Sequence, residues 1–104
     1  MLAMIYLFLA VLLEVAGITA MKLANGFSVL EPSIMIFVFY GFSFVFLTLA
    51  LKHLEVSIAY AIWSGVGTLL VAIIGVHFFH EPMNLIKAMS LGLIVTGVLG
   101  LRLG

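Results

Sequence analysis

The chain has 104 residues, of which 66% are hydrophobic and only 8% are charged. Soluble domains carry about 25% charged residues, so this composition excludes a soluble fold and indicates an integral membrane protein. Four acids balance four Lys and Arg residues, which leaves no charge excess to favour nucleic acid or an anionic lipid surface. Cysteine is absent, and this excludes disulfides and thiolate metal sites.

Four apolar runs, each about the length of a membrane-spanning helix, are separated by short polar segments. The strands of a membrane barrel alternate apolar and polar residues, and none of these runs does so. We therefore predict an all-α integral membrane protein, a four-transmembrane-helix bundle with short connections. It forms one domain over residues 1–104, with helices at 2–21, 33–51, 56–79 and 85–103.

Polar residues mark the predicted helix ends. Lys22, with Asn25 and Gly26 beyond it, is a typical helix stop. Pro32 suits the first helical position of the second helix, because its missing N–H would have no partner there. Asn84 is a candidate N-cap for the fourth helix.

The charges in the connections do not favour one orientation in the membrane. Four spans place Lys52 and Arg102 on one side, and Lys22 and Lys87 on the other. Orientation follows the excess of Lys and Arg on the cytoplasmic side, and here the count is equal. The sequence therefore permits insertion both ways round.

Glu14 is the only charged residue between Leu2 and Met21. Helical rise places it about 12 Å from Lys22, near the middle of a hydrocarbon core about 30 Å thick. A charge there costs at least about 2.5 kcal/mol, so an intramembrane carboxylate indicates a functional site. Burial disfavours the charged form, so the group can hold a proton or, in its place, a cation. Ala10 and Gly17 share its helical face and leave room either for a ligand or for close helix packing.

One face of the third helix carries aromatic and polar residues at i, i+3, i+4 and i+7, namely Tyr60, Trp63, Ser64 and Gly67. Aromatic faces attract poorly hydrated cations, so we interpret this face as one wall of a cation site. Tyr40 would add a third aromatic ring, and Ser43 a polar partner. The alternative is an aromatic belt at the membrane interface.

Small residues are prominent in the third and fourth helices. Gly65 and Gly67 lie inside a helix, where they allow either a hinge, which we favour, or close packing. The fourth helix repeats small residues four apart, with Gly97 beside them: Ala88, Gly92, Thr96, Gly100 and Gly104. Such a stripe favours helix association in lipid. We predict dimerisation through it, and packing within one chain is the alternative.

No motif indicates an enzyme. His77, His80 and Glu81 cluster near the third connection, but we interpret them as polar residues at a helix end rather than as a metal site. We find no phosphate-binding loop and no nucleophile paired with a base. We therefore predict a non-enzymatic protein without cofactor or metal.

The residues together resemble the small multidrug resistance transporters over nearly the whole chain. The matching motifs include Glu14-Val15 with Gly17, Met21-Lys22, Gly26-Phe27, Pro32-Ser33, Ser43-Phe44, Gly92-Leu93, Gly97-Val98 and, most specifically, AYAIWSGVG over residues 59–67. The resemblance implies antiparallel dimers in the cell inner membrane, with the binding chamber enclosed by the first three helices and the subunits paired by the fourth. It also implies that Glu14 of both subunits binds protons or a cationic substrate, with Tyr40, Tyr60 and Trp63 lining the pocket.

The substrate branch is the least determined feature. Gly17 and the three aromatic residues resemble the branch that exports quaternary ammonium compounds, whereas Ile18 and the turn at Glu81-Pro82 depart from it. We expect a proton-coupled antiporter for lipophilic aromatic cations. The alternatives are a guanidinium or polyamine exporter, in the latter case also as a heterodimer, and a membrane assembly subunit that does not transport.

Overall fold

A computed structural model describes residues 2–103 of the protein. The elements are α1 (Leu2–Ala24), α2 (Leu30–Ala50), α3 (Val56–Phe78) and α4 (Leu85–Leu103), and no strand occurs in this range. Each helix is long and apolar enough to cross a membrane. The predicted all-α, four-helix membrane fold is therefore confirmed. Gly104, the last member of the predicted stripe, lies outside the described residues.

The helix ends differ from the predicted ones by a few residues. α1 continues to Ala24 and contains Lys22 in its last turn. It ends where Asn25, Gly26 and Phe27 adopt positive φ angles of 47°, 68° and 68°, a conformation that stops a helix. Asn84 caps α4 as predicted, because its side-chain Oδ1 accepts a hydrogen bond from the Lys87 backbone N–H at 2.9 Å.

Pro32 is the third residue of α2, because the helix begins at Leu30 rather than at residue 33. The first four N–H groups of a helix have no intrahelical acceptor, so proline removes no hydrogen bond at this position. At their other ends, α2 and α3 each stop one residue earlier than predicted, at Ala50 and Phe78.

The bundle is flattened into a slab of 42 × 35 × 17 Å. α1 packs against both α2 and α3, while α4 contacts α3 alone. Glu14, in the middle of α1, faces Gly67 of α3.

Small residues bring the helices close together. Five of the buried residues of α1 are Ala or Gly: Ala3, Ala10, Gly17, Ala20 and Ala24. Small side chains let helix backbones approach in lipid, where packing rather than the hydrophobic effect drives association. α4 has no buried residue. It packs only against α3, and most of its surface is exposed in the single chain.

Candidate functional site

Glu14 lies in the contact between α1 and α3, with only 8% of its surface exposed. Gly67 lies opposite, and a Cβ added there would be 2.8 Å from the Glu14 Cδ. The carboxylate therefore occupies space that exists because residue 67 has no side chain. Its Oε2 atom is buried and has no hydrogen-bond partner among residues 2–103. A buried polar atom without a partner is costly, so this oxygen is suited to take a proton or a cation.

A hydrogen-bonded chain crosses the three helices beside Glu14. The indole Nε1 of Trp63 donates to Ser43 Oγ at 3.1 Å, and Ser43 Oγ donates to the carbonyl oxygen of Ala10 at 2.7 Å. Ser43 is fully buried, and its hydroxyl both accepts and donates. The structure thus brings Ser43, Trp63 and Ala10 together, with Ser43 orienting the indole.

Four aromatic side chains form a continuous row from α2 to α3. Ring centroids are 5.7 Å apart for Tyr40 and Phe44, 6.1 Å for Phe44 and Trp63, and 5.7 Å for Trp63 and Tyr60. Phe44, named above only as part of the Ser43-Phe44 motif, is the one member that was not predicted to belong to the aromatic wall. Its spacing of four residues from Tyr40 places both on one face of α2 and was the available signal.

The Tyr40 ring packs against Gly17. A Cβ at residue 17 would be 2.6 Å from Tyr40 Cδ2, so the phenol packs directly on the α1 backbone. Within one chain, Gly17 and Ala10 therefore serve the close approach of α2 to α1 and the placement of the residues around Glu14.

Ser64 and Gly65 make contacts with partners other than Glu14. The Ser64 hydroxyl donates to the Tyr60 carbonyl oxygen within α3, at 2.7 Å. Gly65 faces α4, where an added Cβ would be 2.6 Å from Val98 Cγ2. α3 runs through Gly65 and Gly67 as one helix. Both glycines permit close helix contacts here, and their role as a hinge stays a prediction.

The predicted dimerisation stripe on α4 is not covered by the chain's own bundle. A Cβ at Gly92, Gly97 or Gly100 would meet no atom within 4 Å among the described residues, and Thr96 uses its hydroxyl on the Gly92 carbonyl oxygen. α4 contacts α3 through the face that carries Ile94 and Val98. The stripe is therefore free to contact another helix.

A cavity of about 480 Å³ lies away from these residues, near the connection between α1 and α2. None of the predicted site residues lines it. Its walls are Val15, Ala16, Thr19, Ala20, Leu23, Glu31, Pro32, Met35, Phe39 and Ile74. The aromatic row, by contrast, is open, since Tyr60 is 59% exposed. The aromatic row is thus an open surface of the chain rather than the wall of a closed pocket.

The third connection carries the polar cluster that sequence analysis noted. His77, His80 and Glu81 are exposed. Within residues 2–103, no three His, Cys, Asp or Glu side chains are grouped so that they could hold a metal ion.

Comparison with known proteins identifies the family. The family model described as "Small Multidrug Resistance protein" matches residues 2–94. The membrane protein YvaE of Bacillus subtilis is 50% identical over 99 residues, which cover 95% of this chain and 83% of the relative. The quaternary ammonium compound-resistance protein QacG of Staphylococcus is 42% identical over 90% of this chain and 88% of its own length. The multidrug resistance protein EbrB of Bacillus licheniformis is 46% identical over 91% of this chain and 80% of its own length.

These matches cover all three helices that surround Glu14 and most of α4. They agree with the four membrane-spanning helices and with the resemblance seen in the motifs. The chain therefore belongs to the small multidrug resistance family and is a multi-pass membrane transporter rather than an enzyme.

Proposed function

We propose that the protein is a proton-coupled antiporter that exports lipophilic aromatic cations, of the quaternary ammonium type, across the cell inner membrane. Protons and substrate compete for Glu14. The observation that carries the proposal is the buried, unpartnered Oε2 atom of Glu14 beside a row of four aromatic rings. Relatives named as quaternary ammonium compound-resistance and multidrug resistance proteins support the substrate class.

Competition at one carboxylate follows from its surroundings. In a site with little water, a bare negative charge is costly, so Glu14 is stable either with a proton or beside a cation. Either occupant neutralises the negative charge of Glu14, so the other then binds less favourably. A proton that enters from outside therefore displaces the cation outward, and a cation from inside displaces the proton.

The aromatic row favours lipophilic cations over small polar ones. A poorly hydrated cation against a desolvated aromatic face gains up to about 2 kcal/mol. A guanidinium or polyamine group would instead need hydrogen-bond acceptors to replace its water. Ser43 Oγ already accepts from the Trp63 indole and donates to the Ala10 carbonyl oxygen, so it has little hydrogen-bonding capacity left for a polar cation. Besides the carboxylate, the Ser64 hydroxyl, which donates to the Tyr60 carbonyl oxygen, is the main acceptor that remains.

The proposed assembly is an antiparallel homodimer in the lipid bilayer. The uncovered glycine stripe on α4 supplies a contact surface, and the open aromatic row needs an opposing wall. A second slab in the inverted orientation would provide that wall and the pseudo-symmetric halves that alternating access uses. The balanced Lys and Arg count is compatible with both orientations. The partners are then a second copy, protons and a cationic small molecule, with no nucleic acid.

Proton release on substrate binding tests the proposal. The purified protein, weakly buffered near neutral pH, is mixed with tetraphenylphosphonium or with guanidinium, and the pH is recorded. We expect release with tetraphenylphosphonium and none in the Glu14→Gln variant, which remains dimeric. Release with guanidinium alone would assign the protein to the guanidinium branch. Equal release from the Glu14→Gln variant would refute the shared site.

A further inference from the structure

A line of contacts leads from Glu14 toward the third connection along the packing between α1 and α3. One side consists of Glu14, Ile18 and Lys22, spaced four residues apart on α1. The other side consists of Gly67, Val71 and Gly75, with the same spacing on α3. We call these six residues the α1–α3 seam. Glu14 faces Gly67 at its inner end, and the remaining four residues line a cavity of about 110 Å³ at its outer end.

The outer end of the seam carries two charged groups. Lys22 and Glu81 both line the cavity, and both are exposed at the end of the bundle. The Lys22 Nζ lies 6.0 Å from the centre of the Phe79 ring, so it is directed toward the third connection. The cavity therefore opens where a cation and a carboxylate meet water.

The fold holds Glu81 over this opening. His80 adopts a positive φ of 55° and turns the chain back, and the Glu81 N–H then donates to the Gly75 carbonyl oxygen at 3.0 Å. A Cβ at Gly75 would be 3.0 Å from the Glu81 Cδ. Gly75 thus leaves the space that the Glu81 carboxylate occupies, in the way that Gly67 does for Glu14.

The cavity reaches to within one helical turn of Glu14. Its inner boundary is formed by Ile18 and Val71, which lie four residues, or about 6 Å of helical rise, from Glu14 and Gly67. A cavity of about 110 Å³ exceeds the space that one water needs, and Thr19, Lys22 and Glu81 offer polar partners. The unpartnered Oε2 of Glu14 lies at the inner end of the same seam. Ile18 and Val71 therefore lie between this oxygen and the cavity.

We propose that the α1–α3 seam is the route by which protons reach Glu14, and that the Glu81 carboxylate collects protons at its mouth. Glu81 takes a proton from bulk water and passes it to water in the cavity, which delivers it past Ile18 and Val71 to Glu14. Glu81 is left as it began. The inference rests on the proposed function. Cations would use the aromatic row instead, so the two occupants of Glu14 would approach it from different sides.

Antiparallel pairing would place one such proton route on each side of the membrane. Each seam opens on the membrane face where its own first and third connections lie. In the proposed dimer the two seams would therefore open on opposite faces, one to each side. Other titratable groups at this end of the chain are Lys22 from α1, Glu31 from α2 and three residues in or beside the third connection, His77, His80 and Lys87.

Proton flux measured apart from substrate binding tests the route. Protein in liposomes with a trapped pH dye exchanges protons for tetraphenylphosphonium, and the affinity for this cation is measured separately at fixed pH. Glu81→Gln should slow the proton flux about tenfold, the lower end of the gain that charged clefts give to ion capture. It should leave the affinity unchanged, which also shows that the variant is folded. Glu81→Asp should retain most of the flux.

Glu31→Gln is the matched control. Glu31 is an exposed carboxylate at the same end of the bundle, but it lines the separate cavity between α1 and α2. Its substitution should change neither flux nor affinity. Added phosphate, a mobile proton carrier that is not a cation, should restore flux in the Glu81→Gln variant, as expected for lost proton delivery rather than for a structural defect.

The outcomes separate this inference from the proposed function. Normal flux in Glu81→Gln, or the same loss in Glu31→Gln, would overturn the proton route while leaving the antiporter proposal intact. A slow Glu81→Gln variant that phosphate does not rescue would also overturn it. Absence of any proton movement in the unaltered protein would refute the proposed function, and the route with it.

Discussion

Glu14 and Gly67 face each other across α1 and α3, and the carboxylate fills the space that a side chain at residue 67 would take. The pair explains how a charged group fits into a closely packed contact between two membrane helices. This placement of the carboxylate depends on the absence of a side chain at residue 67.

Gly67→Ala should weaken substrate binding. An added Cβ would be 2.8 Å from Glu14 Cδ, so either the carboxylate or the helix must move, and such overpacking costs about 1–3 kcal/mol. Tetraphenylphosphonium affinity and proton release should both fall. Gly41→Ala is the control, because a Cβ there meets no described atom within 4 Å. Equal affinities for the two variants would contradict this account.

Ser43→Ala should release the indole of Trp63. The substitution removes the acceptor of the partly buried Nε1 hydrogen bond, and the loss of such a bond costs about 0.5–1.5 kcal/mol. The chain has one tryptophan, so its intrinsic fluorescence reports this position directly. We expect a shifted emission maximum together with weaker cation binding.

The control for that experiment is Thr48→Ala on the same helix. Thr48 donates to the Phe44 carbonyl oxygen within α2 and is exposed, so its loss should leave the tryptophan emission unchanged. An unshifted emission spectrum in Ser43→Ala would show that Ser43 does not orient Trp63.

Phe44→Leu should selectively weaken the binding of aromatic cations. The ring of Phe44 joins Tyr40 to Trp63, and aromatic pairs contribute about 0.5–1.5 kcal/mol beyond burial. Calorimetry should show a larger loss for tetraphenylphosphonium than for an aliphatic quaternary ammonium ion. Phe42→Leu, which alters an exposed ring on the same helix, is the comparison. The prediction fails if both variants lose the same affinity for both cations.

Gly97→Leu should prevent pairing without unfolding the chain. Residue 97 has open space around it in the single chain, so a larger side chain harms only a contact with another helix. Light scattering or cross-linking in detergent should show monomers, while the helical content measured by circular dichroism is retained. Gly97→Ala should be tolerated better. A Gly97→Leu protein that stays dimeric would exclude the stripe as the interface.

The sequence predicted the fold because membrane spans are set by local composition. About 20 apolar residues in a row have one low-energy solution in lipid, a helix that satisfies its own backbone. The prediction was less accurate at helix ends, where Lys22 lies inside α1 and Pro32 inside α2. Lysine is tolerated in the last turn of a helix and proline in the first turn, so composition alone does not define where a helix begins or ends.

Glu14 and the aromatic face of α3 were likewise visible in the sequence. An intramembrane carboxylate is costly enough to stand out without any structure, and helical spacing is sufficient to group Tyr60 with Trp63. Phe44 was passed over because one phenylalanine among the nine in the chain is not distinctive.

The sequence by itself determined four membrane helices, one intramembrane carboxylate near their middle and a stripe of small residues on the last helix, since each depends only on neighbours along one helix. The tertiary structure alone decided what each of these residues contacts. It hydrogen-bonds the Ser43 hydroxyl to the Trp63 indole and the Ala10 carbonyl oxygen, and it places Gly67 against Glu14. Contacts between helices depend on rotation and crossing, which the pattern along one helix does not encode.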